Sequence, residues 1–137
     1  MDYYEWVEGQ RGKTPAVVDW STVPAETVAD PNMSTHTGTV RRTWVGGDVV
    51  LTRVVVPANS RGKPHFHASE QVSMILRGGV RVTLNGAVQT AMAGTIVRIP
   101  GNAVHMFETL ADETEILDVY TITRSAEELR KHYPADA

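Results

Sequence analysis

Residues 62–78, GKPHFHASEQVSMILRG, decide how the rest of the chain is read. Two histidines at i and i+2, His65 and His67, are followed closely by Glu70 and Gln71, then by the apolar run QVSMIL and a glycine. In an extended chain successive side chains alternate between faces. His65, His67 and Gln71 then project from one face and Glu70 from the other. Parity favours Gln71 over Glu70 as the donor that joins the histidines, and a bulge beside the site is what would reverse that choice. Imidazole nitrogens with an amide oxygen suit a divalent first-row metal with positions left open for water or substrate.

Working outward, Thr39 to Thr123 reads as short β-branched or alternating runs: TVRRTWV, VVLTRVVV, QVSMIL, VRVTL, TIVRI and EILDVYTI. Turn residues separate them at Gly46-Gly47, Pro57, Gly78-Gly79, Asn85-Gly86 and Pro100-Gly101. The pattern is all-β. Asn85-Gly86 predicts a two-residue hairpin, because a type I′ turn needs positive φ at both central positions. Closing such strands into a small barrel or double-sheet jelly roll protects their edges and leaves an interior mouth for a ligand. Residues 1–38 form an N-terminal arm packed on the barrel or on a partner subunit, with Asp19-Trp20 the place for a short strand or anchor. Residues 39–124 form the barrel and 125–137 a short C-terminal helix and tail. That helix opens on the capping box Ser125-Ala126-Glu127-Glu128, runs to His132 and stops before Pro134.

Composition excludes several functions. The chain has 137 residues, room for one core and one site, with a net charge of −3 and no basic stripe, so nucleic acid is not an expected partner. It has no cysteine, which removes disulfides, thiolate metal sites and thiol nucleophiles. The opening MDYYEWVEGQ lacks the basic and apolar segments of a signal peptide, and no apolar run reaches membrane-span length. A cytoplasmic location without a membrane partner is the expectation.

With both halves of the chain in view, the pattern resembles the cupin superfamily. Its first motif is a histidine pair, an acidic ligand and a glycine at set spacing, matched by His65, His67, Gln71 and Gly78 with Gln in the acidic position. Its second is matched by Gly94, Pro100 and His105, with Asn102 in place of a glycine and Thr109 in place of the usual closing Asn. Asn tolerates the left-handed conformation that such a turn requires. The resemblance implies a cupin-type double-stranded β-helix, or jelly-roll barrel, holding one divalent transition metal (Zn, Ni, Mn or Fe) on His65, His67, Gln71 and His105. HFHASEQ is similar to a subset with a glutamine ligand, which includes pectin- and alginate-degradation enzymes acting on unsaturated uronates, and polyketide cyclases.

In the uronate enzymes the last strand carries an active-site Asp and Arg. Asp118 and Arg124 stand at matching spacing here, with Tyr120 between them. The resemblance therefore implies a Lewis-acid metal with Asp118 as general base, Arg124 clamping an anionic hydroxy or keto acid, and Tyr120 beside them. Ring opening, tautomerisation or cyclisation is the expected chemistry. A cupin dioxygenase and a non-catalytic sugar- or small-acid-binding cupin are the alternatives. Cupin-like proteins commonly pair, so a homodimer is expected. His36 and His132, outside both motifs, are read as solvated; Arg53 and Arg98 as surface residues; Trp6, Trp20 and Trp44 as packing anchors.

Overall fold

A computed structural model describes residues 2–27, 38–121 and 125–132. Within them run helix α1 (Tyr3–Gly9) and strands β1 (Ala25–Thr27), β2 (Val40–Val45), β3 (Val49–Val56), β4 (Gln71–Arg77) and β5 (Gly79–Leu84). These are followed by β6 (Ala87–Met92), β7 (Ile96–Ile99), β8 (His105–Thr109), β9 (Thr114–Thr121) and helix α2 (Ala126–Lys131). The described strands form two antiparallel sheets, in the orders β1-β2-β3-β9-β4-β7 and β6-β5-β8.

Alternation along TVRRTWV, VVLTRVVV and EILDVYTI becomes inward and outward side chains, and the register lines the inward ones up across the larger sheet. One row is Arg41, Val54, Ile116 and Ile75; the next is Thr43, Thr52, Asp118 and Ser73; the third is Val45, Val50, Tyr120 and Gln71. The middle row is polar and buried throughout. Apolar clusters lie on either side of it. Val54, Val56, Ile75, Val80, Val82, Ala91 and Ile116 close one end. Tyr4, Val7, Val45, Val50, Tyr120 and Leu129 close the other, where the two helices cover the sheet. Each fully buried Val or Leu contributes about 1.5–3 kcal/mol, so these clusters offset a polar layer between them.

Asn85 and Gly86 carry φ of 48° and 86° between β5 and β6, the turn the sequence demands. Gly78 has φ 79°, and a side chain there would collide with Thr114 and sit 2.7 Å from the Glu113 carbonyl. Ser125 caps α2 by accepting from the Glu128 N–H at 3.2 Å. Pro134 lies outside the described residues.

Three elements differ from the sequence reading. The arm begins with a helix whose signal was available: Asp2 and Glu5 make a reciprocal capping box. Asp19-Trp20 opens a single 3₁₀ turn, Trp20–Thr22, instead of a strand, because the Asp19 carboxylate accepts the Ser21 N–H at 2.8 Å. The pairing strand comes later, at β1. Strand β8 was hidden because its inward positions His105 and Thr109 are polar.

Candidate metal centre

The first histidine stretch is less regular than an unbroken strand. Strand geometry starts only at Gln71, and His65 is held instead by an isolated bridge to His105, with N–H···O distances of 3.0 and 2.9 Å. Between them His67 Nδ1 sits 3.0 Å from the Ser69 carbonyl, which bends the chain back into β4. The turn Pro100-Gly101-Asn102 supplies the crossing. Asn102 takes φ 64° and donates its N–H to the His67 carbonyl at 2.7 Å; a Cβ at Gly101 would lie 2.5 Å from the Ala68 carbonyl. Only a glycine lets the two loops come this close, and their contact brings His105 beside the histidine pair.

His65, His67 and His105 each present a ring nitrogen within 4.8 Å of the others, and together they could hold a metal ion. Their protonation suits that role. Burial pushes His105 down to about 4 and also lowers His65 and His67, so all three are neutral near pH 7, as metal ligation requires.

The donor atoms are oriented as well. His105 Nδ1 donates to the Ala103 carbonyl at 2.9 Å, which leaves the lone pair on Nε2, a buried atom with no hydrogen-bond partner among the described residues. In His67, Nδ1 has the Ser69 carbonyl at 3.0 Å and Ser69 Oγ at 3.1 Å, and in the tautomer that donates to the carbonyl the Nε2 lone pair faces Gln71 Oε1 at 3.2 Å. Two acceptors at that separation suit a cation between them. His65 has a carbonyl at each nitrogen, Lys63 at 2.9 Å and His132 at 3.0 Å, yet a neutral ring has one N–H. One lone pair therefore meets an oxygen unless a cation takes it. This donor set fits a divalent metal.

Glu70 points away from the cluster and pairs with Arg98 on the outer surface at 2.6 Å, while Gln71 is buried with 4% of its surface exposed. Arg53 pairs with Glu115, also outside. Asp118 and Tyr120 face inward from β9, 4% and 0% exposed. Asp118 Oδ1 accepts from Ser73 Oγ at 2.5 Å, and Oδ2 accepts from the Tyr120 hydroxyl at 3.3 Å. Arg124 and His36 lie outside the described residues.

The structure corrects the reading of His132. It is 2% exposed, not solvated. Its ring stacks on Tyr120 at 3.6 Å, Nε2 lies 2.8 Å from Ser69 Oγ, and burial depresses its pKa to about 2. A histidine at a helix end gives no sequence signal of burial, since only the docking of α2 makes it inward.

A cavity of about 70 Å³ joins these groups. His65, Gln71, His105, Asp118, Tyr120 and His132 line its polar side, and Val54, Val56, Val80, Phe107 and Ile116 its apolar side. Arg41, which the sequence reading missed, also lines it and is 1% exposed. Its signal was inward parity with Thr43 and Val45 in β2.

A family model described as Cupin domain matches residues 52–120, half of the chain. The chain is a cupin. The structure of an RmlC-like cupin from Shewanella frigidimarina superposes with a TM-score of 0.69 at 16% identity, covering 81% of this cupin and 94% of that chain. KdgF from Halomonas sp. follows at 0.67 and 19%, covering 79% and 94%. The polyketide cyclase RemF from Streptomyces resistomycificus gives 0.64 and 26%, covering 79% of each chain. No curated protein matches the sequence. No helix among the described residues is long and apolar enough to cross a membrane.

Proposed function

We propose that this cupin is a metal-dependent enzyme that moves a proton on a small oxygenated acid, in a ring opening, tautomerisation or cyclisation. His65, His67, Gln71 and His105 would hold one divalent transition metal, Zn, Ni, Mn or Fe. When bound, the cation supplies Lewis acidity toward a substrate carbonyl or hydroxyl oxygen. Asp118 is the general base, and the observation that carries the reading is its place: a buried carboxylate on the same small cavity as His65 and His105, two of the three imidazoles that could hold the metal, and Gln71. Tyr120 and Ser73 hold that carboxylate by both oxygens, so it faces the substrate without reorganising. Arg124 would clamp an anionic substrate group.

The cavity wall favours a compact, polyketide-like substrate over a uronate. Each hydroxyl of a sugar acid set against Val54, Val56, Val80 or Ile116 would lack a partner, at a cost of about 1–3 kcal/mol. The likeness to the polyketide cyclase RemF agrees with that preference.

The test is turnover of short 1,3-dicarbonyl and keto acids, with an unsaturated uronate alongside, by metal-loaded protein under anaerobic conditions. Asp118→Asn should lower kcat by about 10²- to 10⁴-fold at unchanged metal content, since Asn retains an acceptor for Ser73 but no basicity. A near-normal rate in that variant removes the base assignment. Turnover that requires O₂ would support the dioxygenase instead, and metal binding with no turnover the binding module. The reading further places the enzyme in the cytoplasm as a homodimer, with the three segments divided at residues 38 and 124.

A further inference from the structure

We infer that Ser73 is a positioning residue for the metal centre: it relays the polarity of the Asp118 carboxylate to Gln71 and so fixes which end of the amide faces the metal. The inference rests on the metal site proposed above. Gln71 can offer a cation either its oxygen, which attracts, or its NH₂ group, which repels, and the two ends differ little in shape. What selects between them is the group behind the amide.

That selection can be followed atom by atom. Asp118 Oδ1 only accepts, so the Ser73 hydroxyl proton is committed to it at 2.5 Å. With its proton spent, Ser73 Oγ retains only lone pairs toward Gln71 and calls for a donor. Gln71 Nε2 supplies it at 2.9 Å, with Asp118 Oδ1 itself 3.5 Å from the same nitrogen. Gln71 Oε1 is thereby turned to the other side, 3.2 Å from His67 Nε2. Flipping the amide would set its oxygen against two groups that have no proton to offer and its NH₂ toward the cation. All three residues are buried, at 0% exposure for Ser73 and 4% for Gln71 and Asp118, so a mismatched amide is costly there. The same geometry explains why an amide stands in the acidic position of the motif: a carboxylate at residue 71 would face the Asp118 carboxylate across 3.5 Å.

The experiment is titration of the metal-free protein with Co²⁺, following both affinity and the visible ligand-field spectrum. Ser73→Ala should weaken binding by about 10- to 100-fold and alter the spectrum, while Ser73→Thr, which restores a hydroxyl, should recover most of the affinity. A double-mutant cycle separates positioning from general structural support. In a Gln71→Ala background Ser73→Ala should cause no further loss, because its effect passes through the amide. Wild-type affinity and spectrum in Ser73→Ala, or an equal loss in both backgrounds, overturns the relay while leaving the metal centre standing. If the wild-type protein takes up no Co²⁺, the metal centre falls and the relay with it. Metal-free Ser73→Ala melting within a few degrees of wild type establishes that the affinity change is not unfolding; if it melts far lower, the cycle with Ser73→Thr alone decides.

Discussion

Removing metal and lowering the pH should unfold this protein far more readily than its carboxylates would suggest, because His105 and His132 are buried neutral. Both start from an ordinary value of 6.5, and burial takes His105 to about 4 and His132 to about 2. A base whose folded pKa is depressed contributes fully above the unfolded value and loses that contribution as pH falls toward the folded one, since only the unfolded chain takes the proton. At pH 5 the protein is still above both folded values, so the loss is set by the distance from 6.5 alone. One and a half units at about 1.4 kcal/mol per unit is about 2 kcal/mol for each histidine, and about 4 kcal/mol for the two. His65 and His67 shift in the same direction and add to it. Domains of this kind have about 5–15 kcal/mol in total, so the effect is large. The assay is urea unfolding in the presence of a chelator at pH 8 and pH 5, where an m of about 2 kcal/mol/M turns the loss into a midpoint shift of about 2 M. His132→Phe, which retains the ring against Tyr120, should flatten the pH dependence by about one proton even if it lowers stability at every pH. A metal-free protein whose stability changes by less than about 1 kcal/mol over that interval refutes the claim that these rings are held neutral.

Three further outcomes are expected. His105→Ala should remove most of the metal, measured by elemental analysis after purification without added metal, because the buried Nε2, which has no hydrogen-bond partner among the described residues, is one of the three imidazole donors. Gln71→Ala should weaken the metal by about tenfold or more while Glu70→Ala leaves it unchanged, since the Glu70 side chain pairs with Arg98 outside the barrel; the reverse ranking would place Glu70 inward in solution. Light scattering at micromolar concentration should give a dimer, with the exposed Leu76, Met92 and Ile96 as the surface to cover.

The sequence was most legible where a residue's own conformation restricts it. Asn85-Gly86 and Asn102 show the left-handed conformations their types suggest, and the inward parity of Gln71, Asp118 and Tyr120 follows from strand period alone. It was least legible where burial depends on something distant in sequence. His132 is inward because α2 docks on the sheet through Leu129, and α1 is anchored when the Tyr3 hydroxyl accepts the Thr43 N–H and donates to the Pro24 carbonyl. Arg41 is the same kind of miss, since arginine in a strand is usually an outward residue. Strand β8 and the bend at Ser69 escaped because polar inward residues erase the hydrophobic period exactly where a site needs them, which is why the two motifs and not the periodicity located the centre.

The polar row across the larger sheet is hard to account for by stability. Thr43 and Thr52 bond each other at 3.0 Å, and Asp118, Ser73 and Gln71 bond in sequence, so the row is paired internally and is tolerated. Yet the rows on either side are mostly Val and Ile, and replacing a whole buried polar set by apolar groups of similar size, both partners together, is often neutral or stabilising. A core selected only to hold the barrel together would have continued that pattern. Instead the one carboxylate in the row sits next to the side chain that reaches the histidines and accepts from the Ser73 and Tyr120 hydroxyl groups. Ser73 is then the hinge of the arrangement: apolar at that position, the row would still pack, but the carboxylate and the amide would lose the group that sets their relative polarity. Because Ser73 acts only through Gln71, its loss should register in metal binding, by no more than the loss of the amide itself, before it registers in packing.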